Sequence, residues 1–170
     1  MGEEFMLKKI EGKVWKLGDD IDTDIIIPTQ YVSLETIDDM KYHAFEPLRP
    51  ELAKSISPGD IIIAGKNFGC GSSREQAPEV IKQLGIKCII AKSFARIFFR
   101  NSINNGILLI ECQELHDCCN EGDIVSIEVN KKITCKGIEH NIPKMPENLF
   151  KIIEDGGLVR SMKKRNGIIE

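Results

Sequence analysis

The sequence predicts an α/β domain built on a small parallel sheet, and three observations carry that reading. Short apolar runs at 60–64, 87–92 and 107–110 have the length and the Ile-rich content of buried strands. Between them lie two stretches of helical character, one running to Leu84 and one over 94–104. Gly85 and Gly106 follow these stretches, where a helix commonly ends in a left-handed residue. Strand–helix–strand–helix–strand implies right-handed crossovers and parallel neighbours.

The remaining elements follow in chain order. Residues 8–17 alternate in part and predict a strand. Gly18-Asp19-Asp20-Ile21-Asp22-Thr23-Asp24 reads as an acidic, turn-rich loop, followed by Ile25-Ile26-Ile27 and a stop at Pro28. Ile37, Met40 and Ala44 stand at helical spacing and predict a helix over 36–46, broken by Pro47 and Pro50. The strand at 60–64 is bounded by Pro58-Gly59 and Gly65. Ser73 and Gln76 fit a capping box at the start of the next helix. A hairpin is expected over 123–129 and 132–138, turning at Asn130-Lys131. Two helices, at 146–154 and 158–165, are separated by Gly156-Gly157. Residues 1–170 read as one domain, with 1–7 a loose N-terminal extension.

Composition narrows the function classes. Hydrophobic residues make up 42% and charged residues 29%, the balance of a globular domain large enough to bury a core. The net charge of −3, with both signs mixed, argues against a nucleic-acid or anionic-membrane surface. No apolar run approaches the roughly 20 residues of a membrane span, and the start lacks a secretory pattern, so the expected location is the cytoplasm. The six cysteines include no C-x-x-C pair. Cys88 reads as a core residue, and Cys118-Cys119, with histidines scattered at 43, 116 and 140, completes no recognisable metal site; no metal is expected on this chain.

The chemistry is expected in Gly69-Cys70-Gly71-Ser72-Ser73-Arg74-Glu75, between a strand and a helix. Free amides and the helix dipole favour an anion there, glycines such as Gly69 and Gly71 permit close approach, and two hydroxyls and a guanidinium add donors. A tight turn with Ser73 as a plain helix cap accounts for the same residues about equally well. The nucleotide-binding glycine patterns and the Gly-x-Ser-x-Gly elbow are absent, which leaves a small carboxylate as the ligand if there is one. Arg96 and Arg100, on the following helix, either extend the positive patch or serve as ordinary surface residues.

Three blocks carry a resemblance to a known family. They are Gly18 to Asp24 with Pro28, Ala64-Gly65-Lys66-Asn67-Phe68-Gly69-Cys70-Gly71-Ser72-Ser73-Arg74-Glu75, and Ala91-Lys92-Ser93-Phe94-Ala95-Arg96-Ile97-Phe98-Phe99-Arg100-Asn101. In this order they resemble the small subunits of isopropylmalate isomerase and homoaconitase, and more loosely the last domain of aconitase. The likeness runs from about residue 10 to 165 and includes the tail Glu154-Asp155-Gly156-Gly157-Leu158.

The resemblance implies a three-layer β/β/α swivelling domain, as in the aconitase C-terminal domain. It also implies a separate large subunit carrying a [4Fe–4S] cluster, with no cofactor on this chain, since its cysteines do not match the cluster ligands. The implied reaction moves a hydroxyl between adjacent carbons of a small substituted malate through a cis-alkene. By motif, Ser72 matches the alkoxide base, Ser73 and Arg74 match carboxylate ligands, and Asp22, Thr23 and Asp24 match a supporting motif. Tyr31, Val32 and Ser33, with Leu34, match the stretch that meets the distinguishing substituent. Homoaconitase subunits carry an arginine about where Ser33 stands. Its absence implies an apolar substituent such as isopropyl or methyl, unless Arg49 swings in. Homoaconitase, a dehydratase for another small malate such as dimethylmalate, and a non-catalytic carboxylate-binding module are the alternatives.

Overall fold

The computed structural model describes residues 9–169, so the expected extension at 1–7 lies outside the described residues. Seven strands, β1 (Lys9–Lys16), β2 (Ile61–Ala64), β3 (Cys88–Ala91), β4 (Leu108–Glu111), β5 (Ile124–Glu128), β6 (Lys132–Cys135) and β7 (Ile138–Asn141), run in the order β4-β3-β2-β1-β5-β6-β7. Strands β1 to β4 pair in parallel, as the apolar runs predict, and every residue of β2 and β3 is buried. That double-sided burial explains why these strands read as continuous apolar runs rather than alternating ones.

The two halves of the sheet meet on β1. Val14 to Lys16 pair in parallel with Ile61 to Ile63, whereas Lys9 to Lys13 pair antiparallel with Ile124 to Glu128. Gly12 sits at the change, and a Cβ there would lie 2.2 Å from the Gly59 carbonyl oxygen. Only glycine lets the strand pass that turn.

Helices α1 (Thr23–Ile26), α2 (Ile37–Met40), α3 (Leu52–Ser55), α4 (Gln76–Gln83), α5 (Arg96–Asn104), α6 (Leu115–Cys118), α7 (Glu147–Glu154) and α8 (Leu158–Arg165) complete the chain. α4 buries Ala77, Val80 and Ile81, and α5 buries Phe98 and Ile103, in the core shared with β2 and β3. Burial of this apolar area is the main favourable term holding the layers together.

Four local expectations are corrected. The capping box fails: α4 begins at Gln76 behind a helical Glu75 that makes no side-chain cap, which leaves Ser73 outside the helix. Pro78 falls in the first turn, where a missing donor costs little. The helix over 36–46 is interrupted, with α2 followed by a 3-10 turn at Lys41–His43. Phe45 causes the break, because it turns to φ 60° to bury its ring and donates its N–H to the Ile26 carbonyl at 3.1 Å. The acidic loop ends in the one-turn helix α1, capped by Asp22, whose Oδ1 accepts from Ile25 N at 2.8 Å. The hairpin gains a third strand, β7, which buries only His140 and so carries almost no hydrophobic signal.

Candidate active site

The loops that leave the C-terminal ends of β1, β2 and β3 meet beside one another, where open parallel sheets commonly place their sites. The loop after β2 is sewn to both neighbours by main-chain bonds. On one side Phe68 N donates to Ser93 O at 3.0 Å and Ala95 N donates to Phe68 O at 3.0 Å. On the other, Gly69 N donates to Ile21 O at 2.7 Å and Thr23 N donates to Cys70 O at 2.9 Å. Gly69 holds φ 83°, and a Cβ there would sit 2.1 Å from Phe98 Cγ. The position requires glycine on two counts, conformation and space.

Asp22, Thr23 and Asp24 each brace this loop in a different way. Asp22 caps α1. The buried Thr23 donates its hydroxyl to the Ser72 carbonyl at 2.8 Å. Asp24 pairs with Arg74 Nη2 at 2.5 Å. Arg74 reaches further, donating from Nη1 to Ile27 O and from Nη2 to Thr29 Oγ1, both at 2.8 Å. Three of its five N–H groups are thereby engaged, leaving Nε–H and one Nη1 hydrogen.

Ser72 and Ser73 are exposed in a cleft of about 550 Å³ that also includes Gly69, Gly71 and Arg74. The opposite wall is the N-terminal turn of α5 with Arg96, Arg100 and Asn101. The structure therefore brings to the serines two arginines that the sequence left undecided. Phe99 N to Ala95 O, at 2.9 Å, is the first bond within α5. The amides of Arg96, Ile97 and Phe98 consequently lack intrahelical acceptors, and with the helix dipole they make this wall positive.

Tyr31, Val32 and Ser33 do not line the cleft. Tyr31 ends a 3-10 turn at Thr29–Tyr31 that Arg74 ties to the serine loop, and Val32 and Ser33 follow it. Val32 and Leu34 are half-buried against the core, and Ser33 is exposed with its Oγ 3.4 Å from Gln30 O. The Tyr31 ring stacks on His43, with centroids 3.7 Å apart and planes 8° from parallel. Its hydroxyl donates to Glu46 Oε1 at 2.9 Å, while His43 Nδ1 lies 2.8 Å from Glu46 Oε2. The hydrogen bond to Glu46 pushes the Tyr31 phenol up, and the bonds from His43 and Tyr31 hold the Glu46 carboxyl below its usual range. From the sequence, His43 figures only as a candidate metal ligand and Glu46 is passed over; their spacing of three residues within the predicted helix is the available signal. Arg49 is engaged elsewhere, bonded to Glu121 at 2.6 and 3.2 Å and set over the Trp15 ring.

Among the described residues, Cys119, Asp123 and Cys135 bring their donor atoms within 4.8 Å of one another beside the hairpin. Two thiols and a carboxylate do not fit an iron–sulfur cluster, which is held by three or four cysteines. Burial pushes the Cys119 thiol up to about 12, as expected for a packed rather than reactive sulfur. Cys88, fully buried in β3, is likewise a core residue. No helix among the described residues is long and apolar enough to cross a membrane.

Residues 20–115 match the aconitase C-terminal domain model. The 3-isopropylmalate dehydratase small subunit of Lachnospira eligens is 68% identical over 163 residues, covering 96% of this chain and 99% of its own length. The 3-isopropylmalate dehydratase small subunit 1 of Archaeoglobus fulgidus is 48% identical, covering 89% and 96%. The crystal structure of the 3-isopropylmalate dehydratase of Methanocaldococcus jannaschii superposes with a TM-score of 0.89 at 42% identity, covering 94% of this chain and 96% of that one.

Proposed function

Because the chain belongs to the family of 3-isopropylmalate dehydratase small subunits, which carry the aconitase C-terminal domain, we propose that it supplies the base and carboxylate-binding half of that hydro-lyase. The reaction interconverts 2- and 3-isopropylmalate by dehydration and rehydration, a step of leucine biosynthesis placed in the cytoplasm. The observation that carries this reading is Ser72, exposed in a cleft whose other wall presents α5 amides and two arginines.

Removing a proton beside a carboxylate requires a base and stabilisation of the charge that develops. A serine hydroxyl ionises only where positive charge favours the alkoxide, and the α5 N-terminus, Arg96 and Arg100 supply that setting. Ser72 takes the proton. Ser73 and the two unengaged N–H groups of Arg74 hold a carboxylate of the substrate in reach of it. Departure of hydroxide needs a Lewis acid, which in this reading comes from a [4Fe–4S] cluster of a separate large subunit. That partner also covers the cleft, which in this chain alone opens to solvent. Although it does not line the cleft of this chain, the stretch Tyr31 to Leu34 in this reading faces the substituent in the assembled enzyme: Val32 and Leu34 favour isopropyl or methyl, whereas a further carboxylate would find no guanidinium at Ser33.

The test is anaerobic reconstitution of the large subunit with and without this chain. Alkene formation is followed by ultraviolet absorbance over a panel of substituted malates. Activity with 3-isopropylmalate only when both chains are present is the expected result. Full activity of the large subunit alone would remove Ser72 from the reaction.

A further inference from the structure

We infer that His43 and Glu46 are positioning residues for substrate selection: together they clamp Tyr31 and thereby set the stretch Tyr31 to Leu34, without touching the substrate. The inference rests on the proposed reading in which that stretch faces the substituent of the malate.

Apart from the packing of Tyr31, Val32 and Leu34 against the core, little holds the stretch. Its main-chain bonds are local: Tyr31 N donates to Pro28 O, Val32 N to Thr29 O and Leu34 N to Tyr31 O. Two side-chain tethers reach beyond it. One is Arg74 on Thr29, which fixes the end nearest the serine loop. The other is the Tyr31 hydroxyl on Glu46, which fixes the position where the substituent-facing residues begin. A stretch without ladder or helix partners takes its place from such tethers.

The far side of the clamp is rigid. Glu46 directly follows Ala44 and Phe45, both fully buried, and Phe45 N is bonded to Ile26 O. His43 occupies the 3-10 turn just before them, and its ring lies flat on Tyr31 while Nδ1 meets the second carboxylate oxygen of Glu46. Each Glu46 oxygen thus has one partner, and the two partners lie face to face. The phenol can neither rotate away nor slide along the imidazole without losing a bond or the stack. A carboxylate left without these donors would take up water and release the ring. The clamp therefore acts on ground-state placement of the substituent and leaves proton transfer at Ser72 untouched.

The test uses the complex reconstituted with its large subunit. Glu46→Ala and Tyr31→Phe are each expected to raise KM for 3-isopropylmalate about tenfold with kcat within about threefold, the loss expected for one positioning hydrogen bond. Glu46→Gln should recover most of the loss, because its amide oxygen still accepts from the phenol. In the isolated chain, phenolate absorbance should show Tyr31 titrating lower in Glu46→Ala than in wild type. Unchanged KM in both Glu46→Ala and Tyr31→Phe, or a fall in kcat at constant KM, would overturn the inference. Should Glu46→Ala fold poorly, Tyr31→Phe removes only one oxygen and decides alone. A wild-type complex inert toward 3-isopropylmalate would instead sink the functional reading, while the titration would still judge the clamp.

Discussion

The serine loop and the stretch from Thr29 to Leu34 are held by different means. The loop is fixed by main-chain bonds to Ile21, Thr23, Ser93 and Ala95, and by a glycine pressed against Phe98. The stretch reaches its neighbours through side chains: Arg74 on Thr29, Glu46 on Tyr31, and the stack on His43. Main-chain fastening tolerates many side-chain changes while keeping the loop in place, whereas side-chain tethers are rewritten by single substitutions. In the proposed reading, the base Ser72 is set in the conserving part of the architecture and the substituent-facing stretch in the adaptable part.

Substitutions in the two regions should therefore fail in different ways. The largest effect is expected for Ser72→Ala in the assembled enzyme, a loss of turnover of about a thousandfold or more, the range of a missing general base. Its stability should change by less than about 0.5 kcal/mol, since the side chain is exposed. Steady-state kinetics beside a denaturant melt checks both halves. Gly69→Ala should behave in the opposite way, costing about 3 kcal/mol of stability through its φ of 83° and the clash with Phe98. Urea unfolding of the isolated chain reads it directly. Arg74→Lys spans both regions. It keeps a charge but cannot reproduce bonds to Ile27, Thr29 and Asp24 at once, so kcat/KM should fall about 10- to 100-fold.

The smallest effect is one of pH. The Glu46 carboxyl is held below its ordinary 4.5 by its bonds from His43 and Tyr31, so the ionised form is the one the fold favours. Its contribution is present above the unfolded value and is lost as pH falls through the folded one. The near-ultraviolet circular dichroism of Tyr31 should stay constant from neutral pH through 4.5 and decline only below it. In Glu46→Gln that decline should be absent.

The parallel core was legible because burial on both faces leaves runs such as Ile61-Ile62-Ile63 with no polar interruption. The loop of the candidate site stood out as glycines, paired hydroxyls and an arginine in one short segment, but those residues alone read equally as a tight turn. What stayed hidden depends on long-range contacts. Phe45 breaks a helical pattern because a carbonyl at Ile26 and a core vacancy await it, and neither is visible locally. Ser73 fits a cap that α4 does not use, because the helix begins at Gln76 and Arg74 is drawn toward residues 24–29. Arg96 and Arg100 stayed undecided between positive patch and plain surface until the fold set α5 across from Ser72. The clamp on Tyr31 joins residues twelve and fifteen apart in sequence, a spacing with no periodic signature.

The most direct test of the account compares kcat/KM for 3-isopropylmalate and for homoaconitate in the complex reconstituted from this chain and its large subunit. An unpaired extra carboxylate costs several kcal/mol where no guanidinium meets it, so the apolar substrate should be preferred by about a hundredfold or more. A clear preference for homoaconitate would contradict the account, and would mean that an arginine other than the engaged Arg49 meets the second carboxylate beside Ser33.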